Sequence, residues 1–124
     1  MVAAARAGQH RRPYWERRLK RVLFICGKCL HRSPTAAEIF GAIKGFETDA
    51  AGLGNDSDVP LADEQIQWAT HLVGMEKAQA ARLRRKFPRT VAGKRIVCFD
   101  IADVYTFMQP ELVDLLQSRI GRIT

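Results

Sequence analysis

Residues 21–35, Arg-Val-Leu-Phe-Ile-Cys-Gly-Lys-Cys-Leu-His-Arg-Ser-Pro-Thr, constrain the fold of this chain more than any other stretch. Positions 22–25 form a short, continuous apolar run, as expected of a strand covered on both faces in a parallel sheet. Ser33 suits an N-cap, Pro34 suits the first helical position, and 35–44 is rich in helix formers. The reading is a buried strand, a tight loop and a helix start, with Cys26 and Arg32 at the two ends of the loop in the spacing Cys-x5-Arg, followed at once by Ser33.

That spacing has a chemistry of its own. A loop closing onto a helix N-terminus points backbone N–H groups into one concavity, which suits phosphate or another oxyanion. The helix end and a nearby guanidinium both favour a thiolate, so Cys26 is expected below its usual pKa of ~8.5. Arg32 can grip two phosphate oxygens with its planar fork. The N–H groups of Gly27, Lys28, Cys29, Leu30, His31, Arg32 and Ser33 would line the cradle. A thiolate at its base is placed to attack phosphorus and form a phosphocysteine. The bland alternative is a packed cysteine beside an exposed arginine. Cys-x5-Arg alone is a weak signal, and the strand before it and Ser33-Pro34 after it give it weight.

With those residues in view, Val22-Leu23-Phe24-Ile25-Cys26 and Arg32-Ser33-Pro34-Thr35-Ala36-Ala37-Glu38 resemble the signature of the low-molecular-weight protein tyrosine phosphatases, in particular a short bacterial branch. The likeness runs from about residue 20 to the C-terminus. It implies an α/β three-layer sandwich, a flavodoxin-like four-stranded parallel sheet with helices on both faces. It also implies Cys26 as nucleophile, Arg32 as phosphate clamp and a late Asp as general acid, with neither cofactor nor metal. Four positions depart from the family pattern. Cys29 stands where an Asn usually holds a left-handed turn, and Lys28 where Gly is common. Ala50 replaces a serine that braces the loop, and Gln109 replaces a frequent Asp.

Further along, helices are expected at 33–44, from Asp58 to about 69, at 76–86 and after Gln109-Pro110-Glu111. Short strands are expected at 47–51, 71–75 and 95–99. Cys98 then reads as inert packing, Trp68 as helix-on-sheet packing and His71 as a structural histidine. Asp100 and Asp103 follow the fourth strand, at the sheet edge where open α/β folds bind ligands. Either could protonate a leaving oxygen. Register with the family favours Asp100, whereas reach favours Asp103. Tyr105 or Phe107 could wall a slot for an aromatic substrate.

Other activities can be weighed against hydrolysis. Cys26-Gly27-Lys28-Cys29 is also the arrangement of dithiol oxidoreductases, but no Trp precedes it and Arg32-Ser33-Pro34 would have no role there. In a milder version Cys29 is a redox partner that shields Cys26 as a reversible disulfide. Arsenate reduction on the same fold needs two more cysteines, and only Cys98 lies outside the loop. A non-catalytic anion binder fits the departures at Cys29, Ala50 and Gln109. No His, Cys or acidic cluster has metal-ligand spacing.

The 124 residues carry a net charge of +7, but seven of the twenty Lys and Arg fall within the first 21 residues, against Glu16 alone. The basic character is therefore concentrated at an N-terminal extension, 1–19, which carries +4 in 19 residues, against +3 over the phosphatase-like domain, 20–124. Pro13, Tyr14 and Trp15 suggest that part of this arm packs on the domain, although a solvated tail is the simpler reading. It lacks the apolar core of a secretory signal, and no run approaches a membrane span. Three irregularly spaced cysteines do not make a disulfide framework. The expectation is a cytoplasmic protein acting on a phosphorylated protein or small phosphate ester, with neither membrane nor nucleic acid as partner.

Overall fold

The computed structural model describes residues 19–29, 31–54 and 56–123. The arm 1–18 and Leu30 therefore lie outside the described residues. Four strands, β1 (Lys20–Cys26), β2 (Phe46–Gly52), β3 (His71–Gly74) and β4 (Arg95–Cys98), form one sheet in the order β2-β1-β3-β4, with every pair parallel. Helices α1 (Arg32–Gly41), α2 (Asp63–Trp68), α3 (Lys77–Lys86) and α4 (Pro110–Ser118) connect and follow them, and a short 3-10 turn covers Ile120–Arg122.

The apolar run at 22–25 is buried throughout because β1 is central and helices cover both of its faces. Alternate side chains feed two cores. Val22, Phe24 and Cys26 point toward Ala36, Phe40, Leu112 and Leu116 of α1 and α4, and Leu23 and Ile25 point toward Ile66 and Leu83 of α2 and α3. On the first face, Phe24 stacks on Phe40 with ring centroids 5.5 Å apart, and Phe99 packs edge-on to Phe40. The three-layer architecture and parallel sheet expected from the sequence are present, and Trp68 packs on the second core as expected.

Several boundaries differ from the sequence reading. Helix α1 starts at Arg32 with His31 at the N-cap, so Pro34 falls at the third position, where an amide hydrogen is still not needed. It ends at Gly41, before a turn through Gly45 at φ +93°. Asp58 does not open a helix: residues 58–62 run alongside β2, with a bridge between Gly52 and Pro60, and α2 begins only at Asp63. The weakly patterned second strand is a full seven residues, paired along its length with β1. Cys98 ends β4 half-buried and its thiol donates to Asp100 Oδ1 at 3.3 Å, so it is not the enclosed packing residue expected.

The order β2-β1-β3 reverses the direction of strand succession between β1 and β3, the position where open α/β sheets form a crevice beyond their strand ends. Cys26 is the last residue of that strand.

Candidate active site

Cys26 sits 3% exposed at the tip of β1, and the loop after it is held from outside by its carbonyls. Leu53 N–H donates to Cys26 O and Gly54 N–H to Gly27 O, both at 2.9 Å. Asp58 N–H reaches Lys28 O at 3.1 Å, and the Ser57 hydroxyl donates to the same oxygen at 2.9 Å. With these carbonyls directed outward, the loop can turn its N–H groups inward. Ser57 supplies a loop brace that Ala50 cannot; sequence reasoning missed it because the serine has moved to the segment after β2.

Cys29 occupies a left-handed turn at φ +60° and is 5% exposed. A cysteine there costs about 1–2 kcal/mol relative to an ordinary conformation. The turn places Cys29 N–H 3.1 Å from Cys26 Sγ. The left-handed turn therefore persists without the asparagine that usually holds it.

These contacts pull the Cys26 pKa down to about 5. The hydrogen bond from the Cys29 side chain is the largest cause, opposed by burial and helped by Ser33 and the backbone amides. The fully buried Ser33 hydroxyl makes no regular hydrogen bond, yet it lies near enough for its dipole to favour the thiolate. The same contact works in reverse on Cys29, whose thiol is pushed well above the usual range as the proton donor of the pair, with burial adding to it.

Arg32 is 4% exposed and held on one side, with Nη1 donating to Glu76 Oε2 at 2.6 Å and to Ile101 O at 2.7 Å. Its Nε lies 3.6 Å from Asp103 Oδ1. Glu76, the residue capping α3, did not stand out in the sequence because its role depends on α3 starting opposite the loop.

Cys26, Lys28, His31, Arg32 and Asp103 line one cavity of about 50 Å³. Lys28 is exposed and paired with Asp56 at 3.4 Å.

Asp100 is held elsewhere. At φ +54° it accepts from Cys98 and pairs with Arg122 at 3.2 Å, and it is not among the residues lining the Cys26 cavity. The Cys98 thiol first, and then Arg122, keep its carboxyl below the usual range. Tyr105 is half-buried against the first core, whereas Val104 and Phe107 are exposed. Met108 N–H donates to Thr35 Oγ1 at 2.9 Å, which ties this loop to α1. Gln109 caps α4 and accepts from Thr106 N–H at 3.0 Å, a structural task. His71 contacts Thr70 Oγ1 at 2.8 Å, away from the cavity. Among the described residues, no cluster of His, Cys, Asp and Glu could hold a metal ion, and no helix is long and apolar enough to cross a membrane.

No protein-family model matches the chain, and no curated protein matches it. Solved structures do. Tyrosine phosphatase Wzb from Escherichia coli, solved with phosphate, superposes with a TM-score of 0.68 at 16% identity over 85% of this chain and 96% of that one. A low-molecular-weight protein tyrosine phosphatase from Streptococcus pyogenes gives 0.64 at 12% identity, covering 86% and 94%. The fold is that of the low-molecular-weight protein tyrosine phosphatases. The YwlE arginine phosphatase from Geobacillus stearothermophilus shares it, with a TM-score of 0.64 at 19% identity, covering 84% of this chain and 92% of that one.

Within this fold the loop after Cys26 depends on a close backbone approach. A Cβ on Gly52 would lie 2.2 Å from Ser57 Oγ and 2.8 Å from Gly27 O. Gly52→Ala is therefore expected to displace the Ser57 brace and the loop together. Thermal unfolding should show a loss of about 1–3 kcal/mol, and phosphate affinity should fall in the same variant. Gly27→Ala, whose Cβ would meet nothing within 4 Å, is the control.

Proposed function

We propose that the chain is a cysteine-dependent phosphatase that hydrolyses phosphate monoesters, phosphotyrosine first among them, through a phosphocysteine intermediate. The observation that carries this reading is the single cavity joining Cys26, Arg32 and Asp103 at the N-terminus of α1.

In the first step the Cys26 thiolate attacks phosphorus in line, the S–P bond forms and the ester P–O bond breaks. Asp103 gives its proton to the departing oxygen. In the second step water attacks the phosphocysteine, Asp103 takes a proton from that water, and phosphate leaves with the thiolate restored. Because Glu76 and Ile101 O hold Nη1, the Nε edge of Arg32 faces the cavity and is free to bind equatorial oxygens once Asp103 swings away to the leaving group. The loop amides stabilise the same oxygens, most strongly as charge builds in the transition state. The apolar surface of Tyr105, Val104 and Phe107, directly after Asp103, supports an aromatic leaving group.

The test is turnover by reduced, metal-free protein of para-nitrophenyl phosphate, a phosphotyrosine peptide and a phosphoarginine peptide, with acid quench and mass spectrometry for a phosphoryl adduct on Cys26. Turnover with the adduct, fastest on phosphotyrosine, is the expected result. Preference for phosphoarginine would keep the mechanism and change the substrate. Phosphate binding without turnover would leave a non-catalytic anion binder.

Cys29 adds a redox expectation. The Cys26 thiolate attacks peroxide to give a sulfenic acid and hydroxide, and the Cys29 sulfur then displaces water to close a disulfide. Mild peroxide should inactivate the protein reversibly, with a 26–29 disulfide in the peptide map and activity recovered by dithiothreitol. Cys29→Ala should instead proceed to irreversible oxidation of Cys26.

A further inference from the structure

A second and much larger concavity, about 640 Å³, lies on the opposite side of the phosphate loop, between α1 and the outer edge of β2. Its walls are small and apolar, Ala37 and Ala42 from the helix side and Ala50 and Val59 from the strand side, with Val59 44% exposed. Three carboxylates line it, Glu38, Asp49 and Asp58, and no Lys or Arg does. Among the described residues none of the three is in an ion pair. The Asp49 carboxylate accepts from Ala50 N–H and from the Gln65 amide of α2, which turns it toward the other face of the sheet and leaves Glu38 and Asp58 as the acids of the groove. Alongside it, β2 is an edge strand with no partner among the described residues on its outer side below the bridge at Gly52. An open strand edge beside an uncovered apolar wall is a surface proteins ordinarily cover.

The chain itself carries a segment of complementary chemistry at the right place. β1 begins at Lys20, which pairs with Phe46 at the start of β2, so residues 1–18 join the domain at the lower end of this groove. That segment holds Arg6, Arg11, Arg12, Arg17 and Arg18 against Glu16, with Pro13, Tyr14 and Trp15 among them. Trp15 precedes Lys20 by five residues, a reach of ~17 Å when extended, and Arg11 can reach ~30 Å. The seven residues of β2 span only ~23 Å. The whole groove is within range.

We propose that the N-terminal arm docks in this groove, with Tyr14 and Trp15 covering the small apolar residues between α1 and β2 and the arginines meeting Glu38 and Asp58. The proposal does not depend on the hydrolase reading. It explains why a domain that is itself basic, at +3, keeps an acidic face beside the entry point of a strongly basic segment.

The test uses the full chain, with the fluorescence of wild type minus that of Trp15→Phe isolating one of the two tryptophans. Docking predicts blue-shifted Trp15 emission with acrylamide quenching at least threefold below that of a free tryptophan. Both properties should be lost in Glu38→Lys/Asp58→Lys and in Val59→Asp, with circular dichroism unchanged. In wild type, ~1 M salt, where screening acts over ~3 Å, should weaken the protection without any substitution. Solvent-like Trp15 emission in wild type would overturn the proposal, as would protection indifferent to both salt and the groove variants. Protection that falls on dilution, with a dimer in sedimentation, would assign the groove to a second copy and overturn docking within one chain.

Discussion

Cys26→Ser is expected to abolish turnover, with a fall in kcat of ~10³-fold or more, while the protein remains folded and still binds phosphate or vanadate. The reason is ionisation. The thiol titrates at about 5 because Cys29, Ser33 and the loop amides surround it with donors, so it is a thiolate at neutral pH. A serine hydroxyl in the same place, with an ordinary pKa far above neutral, stays protonated and is a much weaker nucleophile. In wild type the acid limb of kcat/KM should bend near pH 5, where the free enzyme loses its thiolate.

Stability should follow the same proton. The folded pKa of Cys26 lies below its value in the unfolded chain, so its contribution is present above the unfolded pKa and is lost as pH falls through about 5. Between those values the unfolded state binds the extra proton, and wild type should gain stability relative to Cys26→Ser as pH rises. The raised Cys29 thiol has the opposite sign: its contribution is present below its unfolded pKa and begins to be lost above it. The difference between the two proteins should therefore grow from pH 5 toward pH 8 and then flatten. Urea unfolding at four pH values would measure it. A stability difference independent of pH would mean that Cys26 is not a thiolate in the folded protein.

The fold was readable from the sequence where burial was complete and obscure where it was not. The run at 22–25 reads as a central strand because both faces are covered and every side chain is apolar. β2 reads poorly because it is an edge: Glu47 and Asp49 point to solvent and break the apolar pattern that signals a strand. Pro60 and the acidic residues near it resemble a helix start, but the segment instead pairs with the end of β2, a long-range contact that no local pattern encodes. The same limit applies to the site. Cys26, Arg32 and Ser33 are legible because strand, loop and helix are contiguous. Glu76 and Ser57 reach the loop from other elements, 44 and 29 residues away from the atoms they bind, and carry no local signal. Cys29 read as a damaging departure, yet it adopts the left-handed turn itself and aims its N–H at the sulfur.

Asp103→Asn should lower kcat/KM, which reports formation of the phosphocysteine, by ~10²–10⁴-fold on an alkyl phosphate and far less on para-nitrophenyl phosphate. An alkoxide is too basic to leave without a proton, whereas para-nitrophenolate departs readily as the anion. The amide cannot supply that proton, so the penalty scales with leaving-group basicity, and the dependence of rate on leaving-group pKa should steepen in the variant. Asp100→Asn should behave otherwise. Its carboxylate is committed to the Cys98 thiol and to Arg122, and it does not line the cavity. That change should lower stability slightly and leave the leaving-group slope untouched, because Arg122 still donates to Cys98 O at 2.8 Å and the turn stays anchored. If the slope steepens in Asp100→Asn and not in Asp103→Asn, the loop rearranges on binding far enough to exchange the two carboxylates, and the assignment of the acid reverses.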